Sequence, residues 1–235
     1  VTLPPVDGIR VGFARSFFTE GLDAAVAGGV ETCQQLLSGT AAATTGVALP
    51  DLSVVGELAN IVAMSEAAGI HFDWLRSRPQ DYGPQVGARL SQGLALPAPV
   101  YIRALQMRAR LLREFLDTVF SACDVLIVPT MPFLPPLASE MDVGDGTAMN
   151  SMLSDMTRFT RPVSFLGLPV VSLPVAMAGG LPVGVQVVAA PFREDAAAAV
   201  ALFLEQALCL PGLAPATATE RPAGTVRAKT SEAAL

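Results

Sequence analysis

Scarcity decides much of what this 235-residue chain can be. It has one lysine, Lys229, and one histidine, His71, so each of the usual bases that activate a serine or cysteine nucleophile occurs once. Lys229 stands in a Pro/Ala/Thr/Glu-rich stretch without hydrophobic periodicity, which cannot hold it in a preorganised site. A Ser–Lys dyad within the chain is excluded on that ground. His71 comes five residues after Glu66, not a tight helical pair, and reads as a helix-end hydrogen-bonding residue rather than a base. Charged residues make up only 15%, against about 25% in an average domain. The formal net charge of −6 leaves no basic footprint for direct nucleic-acid binding. The cysteines, Cys33, Cys123 and Cys209, are odd in number and far apart, with no Cys-x-x-Cys or Cys/His pair. That argues against a disulfide framework or a zinc site and for reduced thiols in a cytoplasmic protein. No cofactor-binding pattern is present. Mean hydropathy is +0.50, yet Pro, Gly or a charge interrupts every apolar run before the ~18 residues that a membrane span needs. No signal peptide is visible, and the start at Val1 reads as a piece of a longer protein.

What is present is an apolar content of 51%, patterned as alternating strands and helices. Residues 9–13 alternate as a short strand. In residues 23–37, Val26, Val30, Cys33 and Leu37 recur at helical spacing, and Gly39 follows as a C-cap. A strand is expected to end at Val47-Ala48-Leu49. Ser53 is expected to cap a helix running to about Leu75, and another short helix covers residues 84–93. The longest helix spans residues 99–121, with Ile102, Leu105, Leu112, Phe115 or Leu116, and Val119 as its apolar stripe. Residues 124–128 are continuously apolar, as for a central strand covered on both faces. Two further strands are read at 167–174 and 182–189, and an Ala-rich helix at 194–207. Residues 1–208 read as one α/β unit, and 209–235 as a disordered tail. Asp142-Val143-Gly144-Asp145-Gly146 lacks the ligand series of a calcium loop, and Gly180–Gly184 lacks the Lys-Ser/Thr ending of a phosphate loop. By residue chemistry alone the chain holds no complete active site, so its catalytic set is read as none.

One pattern is specific. Phe159-Thr160-Arg161-Pro162-Val163-Ser164-Phe165-Leu166-Gly167-Leu168-Pro169-Val170-Val171-Ser172-Leu173-Pro174, followed by Gly180-Leu181-Pro182-Val183-Gly184-Val185-Gln186, resembles the C-terminal half of amidase-signature hydrolases. So do Tyr101 with Arg108 seven residues on, the strand Asp124 to Thr130 ending Pro-Thr, Glu66-Ala67 with His71, and the opening Gly8-Ile9-Arg10-Val11-Gly12. The resemblance runs from about residue 5 to 208. Within the family, the stretches around Phe165–Pro169 and Ala189–Glu194 look most like carboxybiuret-hydrolase-type amidohydrolases, with amidotransferase A-type subunits sharing the general pattern. Two departures stand out: Ser164 where many members carry Asn, and Thr40–Thr45 where a Gly-Ala pair usually leads into the strand.

The resemblance implies an α/β fold, the C-terminal half of a mixed β-sheet flanked by helices on both faces. It implies amide C–N hydrolysis by a Ser–cis-Ser–Lys triad in the N-terminal half. This chain has no adjacent Ser-Ser pair, so the triad is expected to lie upstream. The substrate would be a small-molecule amide and the partner the N-terminal half of the same amidase, with a homodimer or hetero-complex beyond that. Because ligands of open α/β sheets gather at loops leaving strand ends, Thr130 and Met131 and the segment from Thr160 to Ser164 are the expected pocket wall. Arg108 is either a fork for a substrate carboxylate or an exposed helix charge. Gly167 is expected to allow either a close backbone approach or a positive φ beside that wall. An amidotransferase A-type subunit, and a non-catalytic binding or oligomerisation module, are the competing readings.

Overall fold

In the computed structural model, residues 2–141 and 147–210 are described; the expectations for the Asp142–Gly146 stretch and for the tail beyond Leu210 lie outside them. The first strand, β1 (Arg10–Ala14), buries Val11 and Phe13 on one face. On the other face Gly12 leaves no room for a side chain, since a Cβ there would lie 2.6 Å from Val47 Cγ2 and 2.7 Å from Cys123 Sγ. With β2 (Ala43–Val47), β3 (Val125–Pro129), β4 (Val170–Ala178) and β5 (Leu181–Ala189) it forms one sheet, in the order β2-β1-β3-β5-β4. β2, β1 and β3 run parallel, whereas β3–β5 and β5–β4 are antiparallel. The sheet is therefore mixed, as the resemblance implies. The β4–β5 turn uses Gly179 and Gly180 at φ +58° and +80°, the left-handed pair that a tight two-residue hairpin requires.

All of β3 is buried because helices cover both faces. Val125 and Ile127 pack with α1 (Ala24–Ser38) and α8 (Glu194–Leu208). Leu126 and Val128 pack with α2 (Val55–Ile70), α5 (Ala98–Phe115) and α7 (Thr160–Leu166). The remaining helices are α3 (Phe72–Ser77), α4 (Pro84–Leu94) and α6 (Thr147–Met156). Burial pushes the thiols of Cys33 and Cys123 up to about 12, so both behave as small apolar side chains.

Four expectations are corrected. β2 lies earlier than 47–49, because β1 offers partners only from Arg10↔Ala43 to Ala14↔Val47 and the chain then leaves the sheet. Ser53 does not cap α2: its N–H donates to Asp51 Oδ1 at 2.8 Å in a local turn, and the helix starts two residues later. That helix does not reach Leu75 unbroken but stops at Ile70, with His71 as a one-residue joint to α3. Along α5 the buried line is Ala104, Leu111 and Phe115, while Ile102 is 51% exposed. The face of α5 turned to the core thus carries Ala104, and Ile102 lies off it. A five-residue π turn (Leu116–Phe120) then carries Val119 into the core.

Arg10 joins the start of β1 to the start of β3. Its Nη2 donates to Asp124 Oδ1 at 2.8 Å and its backbone N–H to Asp124 Oδ2 at 2.9 Å. These hydrogen bonds and the guanidinium charge hold the Asp124 carboxyl below its usual range. A carboxyl depressed in the folded state stabilises above the unfolded value of about 3.9 and loses that contribution as the pH falls through the folded value. Asp124→Asn is expected to cost about 1 kcal/mol at pH 6, since the pair is partly exposed, and the gap is expected to shrink once the pH falls below the unfolded value of about 3.9. Urea midpoints at pH 6 and below that value check this; a constant gap would remove the ion pair as its cause.

Candidate functional site

The carboxyl ends of β1, β2 and β3 share one edge of the sheet, the usual ligand edge of a parallel arrangement. The chain leaving β1 carries Phe17, whose φ of +54° is unusual for a side chain of that size and whose N–H donates to Glu20 Oε1 at 2.9 Å. The chain leaving β2 carries Leu52 and Ser53. Between these segments and helices α2, α4 and α7 lies a 500 Å³ hollow whose polar lining includes Glu57, Asn60, Arg89, Arg158 and Arg161. Asn60, Arg89 and Arg161 also line a second hollow of 320 Å³, so the two adjoin. Both sizes suit a small molecule.

Of the residues that the sequence singles out, Arg108, Thr160 and Ser164 line this second hollow together. Thr130 and Met131 do not join them; they line a separate, largely apolar hollow of 300 Å³ against β4 and β5. Thr130 is tied there by its N–H to Gly184 O at 3.0 Å and by its hydroxyl, 3.3 Å from Ser172 Oγ. The segment from Thr160 to Ser164 is not a strand-end loop but the first turns of α7. Gly167 caps that helix at φ +72°, one of the two expected outcomes, and the Arg108 guanidinium occupies the place a Cβ would need. Arg108 is otherwise exposed. Across the hollow Glu66 accepts a hydrogen bond from the Tyr101 hydroxyl at 3.1 Å, and this contact raises the phenol above its usual value.

His71 pairs its Nδ1 with the Tyr82 hydroxyl at 2.8 Å and packs edge-on to Trp74. Its hydrogen-bond partner is a phenol at a helix joint, not a serine or cysteine. Among the described residues, no group of three or more His, Cys, Asp or Glu side chains is placed to hold a metal ion.

Arg161 falls inside the expected Thr160–Ser164 wall, whereas sequence reasoning missed Arg158, Arg89 and Gln186. Arg158 stands in the turn between α6 and α7, just ahead of the Phe159-Thr160 motif, where no helical period could signal it. Arg89 had no local signal, since only the packing of α4 on α2 brings it here. Gln186 is the one buried polar residue among those described, 4% exposed. Its Nε2 donates to Pro129 O at 3.1 Å and Phe159 O at 3.3 Å, fastening the end of β3 to the entry of α7. An amide inside a valine-rich strand was its signal.

The family model described as Amidase matches residues 4–197. The 1-carboxybiuret hydrolase subunit of Pseudomonas sp. (strain ADP) is 32% identical over 193 residues, covering 81% of this chain and 41% of that protein. The A-type subunit of the glutamyl-tRNA(Gln) amidotransferase of Chloroflexus aggregans is also 32% identical, over 213 residues, covering 80% and 42%. A solved amidase structure superposes with a TM-score of 0.76 at 31% identity, covering 88% of this chain and 48% of that one. A structure of a vestigial protein complex of an s-triazine catabolic enzyme superposes at 0.71 with 29% identity, covering 86% and 44%. The chain thus spans less than half the length of these relatives.

Proposed function

Because the chain belongs to the amidase family, we propose that it is the C-terminal part of an enzyme that hydrolyses a carboxamide C–N bond, with a Ser–cis-Ser–Lys triad supplied by a part of the protein outside this chain. The observation that carries this reading is the family match across residues 4–197, in a chain with no Ser-Ser pair and one lysine. The triad would supply the nucleophile, the relay and the base. This chain supplies a wall of the substrate cleft, in which Arg108, Thr160 and Ser164 face the bound amide and Thr130 and Met131 shape the neighbouring loop. Preorganised backbone donors beside the triad would hold the oxyanion. Reduced thiols suit a cytoplasmic setting, and the relatives named as a subunit or solved as a complex support a hetero-complex.

The test is ammonia release from a panel of biuret-like, aliphatic and aromatic amides. The chain alone is expected to give background rates, and the complete protein turnover that disappears when the second serine of its Ser–Ser pair is replaced by alanine. Turnover by the chain alone that survives Lys229→Ala would overturn the division of labour. An amidotransferase A-type subunit is a second reading, supported by the equal identity of the Chloroflexus aggregans protein. Glutamine-dependent amidation of glutamyl-tRNA, without free hydrolysis of the amide panel, would select it.

A further inference from the structure

We propose that Phe17 is the size stop of the cleft: its ring, held by a strained turn, limits how long an apolar group the amide substrate can place in the larger hollow. This rests on the amidase reading above. Phe17 follows the carboxyl end of β1 and lines that hollow together with Leu52, Leu153 and Pro162, its apolar part. The residue is half-buried, and its ring stands edge-on to Phe18, centroids 5.0 Å apart at 84°, with Phe159 6.0 Å away. Phe18 is 1% exposed and belongs to the core. Two adjacent phenylalanines thus divide the work, one filling the interior and the other bordering the hollow.

The backbone at Phe17 is the unusual part. Its φ of +54° lies in the left-handed region, which a bulky side chain adopts at a cost. Four residues on, the same segment takes that conformation again with Gly21 at +63°, where it costs little. A strained residue persists only where its surroundings fix it, and such residues gather at functional sites. Here Glu20 does the fixing. Its carboxylate accepts the Phe17 N–H at 2.9 Å, and its carbonyl accepts from the Arg158 guanidinium, which lies over the Phe159 ring at 4.5 Å. The ends of the segment are tied as well: the Arg15 N–H donates to Val47 O at 3.0 Å and the Asp23 N–H to Pro132 O at 2.8 Å. Phe192, by contrast, has its φ of +65° in a surface turn and is 91% exposed. The Phe17 ring is held by its backbone as well as by its aromatic neighbours, so a longer group entering the hollow meets a fixed surface.

The test uses the complete protein with propionamide and hexanamide, which share the scissile bond and differ in the length of the apolar chain. For both, kcat/KM is measured, and affinity separately by calorimetry. Phe17→Ala is expected to raise the hexanamide-to-propionamide ratio of kcat/KM about tenfold, and Phe17→Trp to lower it about tenfold. A ring that only supported the fold would move both variants in the same direction and both amides together. Glu20→Ala leaves the ring but frees its turn, and should shift the ratio toward that of Phe17→Ala. Glu20→Gln keeps a side-chain oxygen that can accept the Phe17 N–H, and should restore most of the wild-type ratio. Glu20 is exposed, so should Phe17→Ala lose its cooperative melt, the two Glu20 variants decide. An unchanged ratio in Phe17→Ala, or a shift in the same direction by alanine and tryptophan, overturns the proposal. So does a Glu20→Ala ratio equal to that of the wild type. A Phe17-dependent ratio of affinities without turnover of either amide would retain the size stop and remove the amidase reading; turnover with an unchanged ratio would do the reverse.

Discussion

Gly93→Val is expected to separate α2 from α4 and cost about 3 kcal/mol, from the overpacking of a site with no slack. A Cβ at Gly93 would fall on the Met64 carbonyl oxygen and lie 2.9 Å from the Ala68 Cβ. The obstacle is helix backbone, which cannot rotate aside as a long side chain would. The helices must therefore move apart, and α4 carries Arg89 while α2 carries Glu57 and Asn60. Loss of stability and distortion of the hollow should appear together, as a lower urea midpoint and lower turnover by the complete protein. Gly93→Ala meets the same oxygen with its single methyl and should show a smaller version of both. A valine variant with an unchanged midpoint would show that the two helices are not in close contact in solution.

Gln186→Leu is the second large effect, again about 3 kcal/mol. Leucine preserves most of the volume but removes both donors, leaving the carbonyls of Pro129 and Phe159 without the Gln186 amide. Each buried acceptor stripped of its partner costs about 1–3 kcal/mol. The loss should also loosen the join between β3 and α7, so turnover by the complete protein should fall even at temperatures where the variant remains folded. Gln186→Glu should be at least as damaging, because a carboxylate cannot donate and its charge would be buried. If the leucine variant matched the wild type in denaturant midpoint and turnover, those carbonyls would have to be satisfied elsewhere.

Much of the fold was legible in the sequence because local pattern and tertiary burial agree. The continuous apolar run at 125–128 reads as a doubly covered strand, and so it is. The period of Val26, Cys33 and Leu37 gives α1 almost to the residue. Legibility failed where an interaction outside the local window chose the outcome. Nothing local distinguishes Ile102 from Leu111 as a core residue; which face of α5 turns inward is set by what it packs on, and that face carries Ala104, Leu111 and Phe115. Ser53 has the chemistry of a cap, but α2 starts at Val55 and Val54 occupies the cap position. The break at His71 follows from the pairing of its ring with Tyr82, eleven residues away. For the candidate site, motif residues Thr160, Ser164 and Arg108 fall in one hollow, while Thr130 and Met131 fall in another because β5 draws Thr130 toward Gly184. Arg89 was invisible for a different reason: its place depends entirely on how α4 lies against α2.

The mixed sheet also sets the tempo of its own assembly. β4 and β5 are joined by a two-glycine turn and pair at close range, so little chain entropy is lost before their contacts form. The junction of β1 with β3 joins Arg10 to Asp124, 114 residues apart, and must close a loop about ten times longer. β3 is the strand that meets both halves, pairing with β5 on one side and β1 on the other. By loop length, the hairpin and the β1–β2 pair are expected to gain amide protection from exchange before the β1–β3 junction does. The β1–β3 junction, at the edge that bears the arginine-lined hollow, is expected to be the last part of the sheet to close.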